Sequence, residues 1–422
     1  MDFSSPYTML IGASSVIILS FFFGEVSRKT NIPSVLMLIV LGVLMQFGLS
    51  PAPDKIRPVL ELLGIIGLIM IVLEAALELE LKREKYIPIA KAMLIAFVGL
   101  IASGWVAAWV LHYFYAAEGM TMEKAWIYAI PLSILSSAII IPSVSALNAI
   151  KKEFHIYEST FSDIFGIIIF YFLTGQLGAD EQSSGIVGFS LNVLLTIVVS
   201  FIASYLIILI FQEIRSHTKL FLLIAVLLLL YGLGKKMHLS SLIVILVFGL
   251  LIANMKLFFR GQLGKWLDFK KATQVYDGLH VITMETAFVV RTFFFVAFGL
   301  SISVASIFNL DVAIVSLLII ASIYVIRYVI LKLFFGDDIL PQLFIAPRGL
   351  ITILLFYGIP EAAKVEGFNS GILLFIIIGT SLIMTVAMVL DKQKTSKAIR
   401  KAGTHPVGNE LWKAPAVVSD KT

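Results

Sequence analysis

The 422-residue chain contains no cysteine. That absence excludes disulfides, thiol nucleophiles and thiolate metal sites, and leaves the redox compartment open. Charge is almost as scarce. Only 14% of the residues are Asp, Glu, Lys or Arg, against about 25% in soluble domains. There is no Walker loop, no G-x-S-x-G turn, no Ser/His/Asp constellation and no pair of histidines at metal-ligand spacing. The sequence therefore offers no covalent chemistry and no cofactor site, and it reads as a protein that is not an enzyme. What fills the chain is apolar: 59% of residues are hydrophobic and the mean hydropathy is +1.00. A soluble protein of this size cannot hide that much apolar surface in one core. A soluble enzyme, a disordered chain and a nucleic-acid-binding domain are excluded together. The expected class is an all-α polytopic membrane protein.

Apolar runs of the length needed to cross a bilayer fall at 7–24, 33–49, 58–81, 88–114, 124–149, 155–178, 185–211, 218–234, 238–254, 277–304, 311–334, 340–360 and 369–390, which makes thirteen spans. The runs are continuous rather than alternating, so an outer-membrane barrel is excluded. The first run lacks a basic segment before it and reads as a retained span. The net charge of +5 lies in short loops and in the basic tail, 391–422. With the C-terminus cytoplasmic, the inner loops carry 16 Lys and Arg and the outer segments 6, leaving the tail out. That asymmetry predicts the N-terminus outside and the C-terminus in the cytoplasm. The tail, with Lys392, Lys394, Lys397, Arg400 and Lys401, reads as an inner flank with affinity for anionic membrane lipids. Nucleic acid is not an expected partner.

Thirteen spans allow two inverted six-helix repeats, with span 7 between them. Span 5 holds Ser136, Ser137 and Pro142, and span 12 holds Pro347 and Arg348. Prolines in the middle of corresponding spans predict a pair of interrupted helices, the usual pointer to a transporter's binding site.

Ionisable groups inside spans mark function. Here they share a level. Glu74, Asp163, Glu285, Arg327 and Arg348 each lie 7 or 8 residues from the cytoplasmic end of a span, or about 10–12 Å deep. Arg291 lies deeper. A common level predicts a shared polar chamber. On span 6, Ser159 and Asp163 are spaced i, i+4, and so are Glu158 and Ser162; each pair shares a face. Hydroxyls beside a carboxylate make a hard oxygen cage for a monovalent cation. A carboxylate withdrawn from water also holds a proton more tightly, so cation and proton compete for it. Asp163, Ser159, Ser162 and Glu74 are the expected cation and proton ligands, with Asp163 the transient metal ligand. Glu158, lying shallower, is expected to pair with Arg348 or Arg327. His155 and His280 lie near span ends, and His280 reads as interfacial.

The chain resembles the monovalent cation:proton antiporter superfamily, on its Na⁺/H⁺ exchanger-like side. The resemblance rests on Asn31-Ile32-Pro33-Ser34-Val35, on Leu73-Glu74-Ala75-Ala76-Leu77-Glu78-Leu79 and on Glu158-Ser159-Thr160-Phe161-Ser162-Asp163. Arg291-Thr292-Phe293-Phe294-Phe295-Val296 and Ala346-Pro347-Arg348-Gly349-Leu350-Ile351-Thr352 complete it. It implies a homodimer of thirteen-helix protomers in the inner or plasma membrane. Dimerisation helices would lie in 1–81 and, with the linker helix, in 185–304. A mobile core of 88–178 and 311–390 would carry crossed interrupted helices 5 and 12 and move like an elevator. It implies that Asp163 is the shared cation and proton site, with Ser159 a ligand. Glu158 and Arg348 would be a stabilising pair, and Arg327 and Arg291 would be further charge partners. Ser162 stands where the family usually has Asn or Asp, which implies one carboxylate and an electroneutral 1:1 exchange. Na⁺ is the expected cation, but Ile140 and Ile141 stand where exchangers have Thr-Asp, which leaves K⁺ or Li⁺ open. An ion channel and a transport-inactive sensor on the same scaffold remain as alternatives.

Overall fold

The computed structural model describes residues 6–30, 32–47, 53–79, 81, 83–144, 147–176, 186–214, 219–236, 241–259, 261, 263–301 and 309–403. Asn31 and the end of the tail lie outside these residues, and the side chains of 392–403 are not described. The described residues are helical throughout, with loops between. In chain order the helices are α1 (Pro6–Thr30), α2 (Ser34–Gln46), α3 (Pro53–Glu78), α4 (Tyr86–Tyr115), α5 (Met122–Ser133), α6 (Ser137–Ser143), α7 (Ala149–Gln176) and α8 (Ile186–Glu213). They continue with α9 (Lys219–Lys236), α10 (Ser241–Ala253), α11 (Met255–Phe258), α12 (Phe269–Ser301), α13 (Leu310–Phe335), α14 (Leu350–Tyr357) and α15 (Gly371–Gly403). Among the described residues, eight helical stretches are long and apolar enough to cross a membrane, and α2, α9 and α10 contribute shorter apolar helices.

The helices pack in two groups. One joins α2, α3, α8, α10 and α12; the other joins α4, α5, α7, α13 and α15. The groups meet where α3 and α10 touch α7 and where α3 touches α14. Within the first group, α2 and α12 cross at Gly42 and Gly299. A Cβ on Gly42 would stand 2.2 Å from the Val296 carbonyl oxygen, and one on Gly299 would stand 2.3 Å from that of Ile39. Only glycine permits backbones to approach so closely.

The break in the fifth apolar run is not where its proline predicts. Pro142 lies inside α6, and the interruption falls at 134–136, between α5 and α6. A helix needs each N–H to reach the carbonyl four residues back. Here those groups have other partners. The Leu135 N–H donates to Ser162 Oγ at 3.0 Å, and the Ser136 N–H donates to the Pro347 carbonyl at 3.0 Å. The Leu132 carbonyl, which Ser136 would have used, accepts from Arg348 Nε at 2.9 Å. In the twelfth run the proline does mark the break. A 3₁₀ turn at Gln342–Phe344 is followed by non-helical residues 345–349, including Pro347, before α14 begins.

Candidate functional site

The two interrupted segments cross one another. Beyond the Ser136 to Pro347 bond, a Cβ on Gly349 would stand 2.4 Å from Ser136 Oγ. The absence of a side chain at 349 lets the two segments touch. Arg348 is buried at the crossing. Its Nε reaches Leu132, one of the orphan carbonyls at the C-terminus of α5, its Nη1 donates to the Ala346 carbonyl at 3.0 Å, and its backbone N–H donates to Thr380 Oγ1 at 3.1 Å. A fixed cation at a helix C-terminus offsets the negative end of the helix dipole. The other broken end is α6, which begins at Ser137; the Ile139 and Ile140 N–H groups donate to the Ser136 carbonyl, and those of Ser137 and Ala138 precede the first intrahelical bond.

Asp163 on α7 faces that end. The groups opposite its carboxylate are the hydroxyl and the backbone N–H of Ser137. The side chain is 2% exposed, and neither carboxylate oxygen has a partner within hydrogen-bonding geometry. A buried ionised carboxylate without a counter-charge is costly. It is stable in that place only when a proton or a cation accompanies it.

Glu158, one and a half turns earlier on the same helix, is the opposite case. Its oxygens accept from Arg327 Nη1 and Nη2 at 2.6 and 2.9 Å, while Arg327 Nε donates to the Gln342 carbonyl. The direct partner of Glu158 is thus Arg327. The pairing with Arg348 that the family resemblance implies is not formed, because Arg348 spends its donors on the carbonyls of the broken helices. His155, near the start of the sixth apolar run, is fully buried with Nδ1 3.4 Å from Glu158 Oε2.

Ser159 Oγ donates to the His155 carbonyl at 2.7 Å, and Ser162 Oγ accepts from Leu135; both keep an oxygen lone pair. Ser162, Glu158, Arg327 and Arg348 border a cavity of about 30 Å³, with room for a water or two. Asp163 does not line it.

The expected single polar chamber resolves into separate pairs. Glu74 on α3 accepts from Arg291 Nη1 and Nη2 on α12 at 3.0 and 3.1 Å. Both its oxygens are occupied, unlike those of Asp163. Glu285, at the same level, is exposed on α12 and forms no ion pair among the described residues. A shared depth carries no information about direction around a helix, which is why depth grouped residues that the packing separates. Of the remaining hydroxyls, Ser143 donates to Ile139 on its own helix. Thr160, which its position beside Ser159 did not single out, is fully buried with its hydroxyl unpartnered. Among the described residues no group of three or more His, Asp or Glu side chains is placed to hold a metal ion.

The family model described as "Sodium/hydrogen exchanger, transmembrane" matches residues 16–392. The chain belongs to this family. It is an integral multi-pass membrane protein from a family of secondary transporters rather than enzymes. No curated protein matches by sequence. Among solved structures, the fold is similar to that of the sodium proton antiporter MjNhaP1 from Methanocaldococcus jannaschii at pH 8, with a TM-score of 0.65, 19% identity, and coverage of 92% of this chain and 98% of that one. A second structure of MjNhaP1, from a 3D EM map, gives a TM-score of 0.67 at 18% identity, covering 95% of this chain and 99% of the other. At such identity the likeness establishes a shared fold for this exchanger-family member, and residue roles rest on its own geometry.

Proposed function

We propose that the protein is a secondary antiporter that exchanges a monovalent cation for H⁺, with Asp163 as the site both ions share. The observation that carries this reading is the contrast within α7: Glu158 is neutralised by Arg327, whereas both oxygens of Asp163 are buried and idle. Protonated, Asp163 crosses as a neutral acid; deprotonated, it crosses only with a cation bound. Either state is neutral, and the exposed charged state is confined to the two aqueous sides, which enforces exchange. One titratable carboxylate holds one proton or one cation, so the exchange is 1:1 and electroneutral. Ser137 and Ser159 supply neutral oxygens, and Arg348 fixes the broken helices around them.

In this reading thirteen spans run with the N-terminus outside, and the α4–α7 and α13–α15 bundle slides like an elevator against α1–α3 and α8–α12. The latter face pairs two protomers. Na⁺ is the favoured cation. Ile140 and Ile141 leave the Thr-Asp oxygens of typical exchangers missing, which keeps K⁺ and Li⁺ as competitors. The test is cation-driven proton movement in proteoliposomes, followed with a pH-sensitive dye under Li⁺, Na⁺, K⁺ and Rb⁺ in parallel. Alkalinisation on cation addition that disappears in Asp163→Asn supports the proposal. Single-channel currents without proton coupling would make it a channel. A lack of any flux would make it a sensor on the same scaffold.

A further inference from the structure

We infer that the Thr160 hydroxyl is a cation ligand that sets which alkali ion Asp163 accepts; the inference rests on the antiport reading above. A hydroxyl buried on a helix ordinarily donates to the carbonyl four residues back. In this protein Ser159, Thr174, Thr380 and Thr385 all do so. Thr160 does not. Its Oγ1 is fully buried, with no partner at all. A polar atom left unsatisfied in the interior requires a reason.

Its position supplies one. Thr160 precedes Asp163 by three residues, so the two side chains are neighbours on the helix surface, about 5–6 Å apart at Cβ. Ser159 lies on the other flank of Asp163. Three idle oxygens therefore lie along one edge of α7, two from Asp163 and one from Thr160. The Ser137 hydroxyl faces the same carboxylate from α6. Carboxylate and hydroxyl oxygens without competing hydrogen bonds are the donor set of a hard monovalent cation. A hydroxyl adds a ligand without adding charge. Thr160 therefore contributes to cation binding far more than to the proton's hold on Asp163, and its reach decides which ionic radius fits.

The experiment compares wild type, Thr160→Val and Thr160→Ser in proteoliposomes, measuring the half-saturating concentrations of Li⁺, Na⁺ and K⁺ at one pH. Valine keeps the shape and removes the oxygen. We expect it to raise the half-saturating concentration of the preferred cation about tenfold and to change the order of preference, with serine restoring both. Unchanged half-saturation and order in the valine variant overturn the inference, as does a serine variant as impaired as valine. Melting temperature in detergent, with and without alkali cation, provides the control. Stabilisation by cation should shrink in the valine variant. A lower melting temperature in cation-free buffer with unaltered ion preference indicates a packing role only and overturns the inference. If the valine variant cannot be purified, Thr160→Ala carries the same readings. A wild type without cation-driven proton movement overturns the antiport reading as well. Normal wild-type antiport with an indifferent valine variant overturns only the role of Thr160.

Discussion

Glu158 and Asp163 lie on one helix, both buried, and the fold treats them in opposite ways. Around Glu158 every acceptor is matched: a bidentate guanidinium from α13, itself anchored on the Gln342 carbonyl, holds the charge. Around Asp163 the fold supplies only dipoles, the Ser137 hydroxyl and N–H at the start of a broken helix. A matched buried pair is fixed in one protonation state and serves as structure. An unmatched carboxylate keeps its choice of companion. The same distinction applies to Glu74, whose oxygens Arg291 occupies. If Asp163 is the transport site as proposed, the difference teaches that a charge inside the membrane is marked for transport by what its neighbours leave undone, not by depth.

The comparison can be broken most decisively at Asp163. Asp163→Asn should reduce cation-driven proton flux to the level of protein-free liposomes while the protein still folds, since an amide needs no companion ion. Flux that survives in this variant would end the assignment. The counterpart is Arg327→Ala, which strands Glu158 as an uncompensated buried charge. Its expected cost is about 3–5 kcal/mol of stability, read as a large fall in melting temperature or as loss of folded protein in detergent. Glu158→Gln combined with Arg327→Ala should recover part of that loss, and a double variant no better than the single would show that the pair is not the source. Gly349→Ala should cost about 1–3 kcal/mol, because its methyl group would collide with Ser136 where the interrupted segments touch. Normal melting and flux in that variant would mean the crossing yields easily. Glu74→Gln should be the mildest, at about 1 kcal/mol, since its pair with Arg291 is partly exposed, and flux should persist. Flux at background in Glu74→Gln would move that residue into the cation site.

Much of this arrangement is legible in the linear chain, and the exceptions share a cause. Continuous apolar runs of bilayer length became helices because only a helix satisfies its backbone within a single segment in hydrocarbon. The i, i+4 spacing put Asp163 and Ser159 on one face regardless of tertiary context. Three features were not legible. The break in the fifth run sits before Pro142 because Arg348 and Pro347, some two hundred residues away, supply the groups that replace its helical bonds. The partner of Glu158 depends on how α13 is rotated, which residue depth does not report. Thr160 looks like any helical threonine in sequence; only the packing reveals that its hydroxyl is idle.

The Gly42–Gly299 seam carries one further consequence. Where two main chains rest directly on each other, no rotamer can adjust and no side chain can act as a lubricant. Translation along that seam would drive carbonyls into α-carbons within a fraction of a residue's rise. Helices α2 and α12 must then behave as one welded strut, and any stroke that shuttles an ion has to take place at another seam.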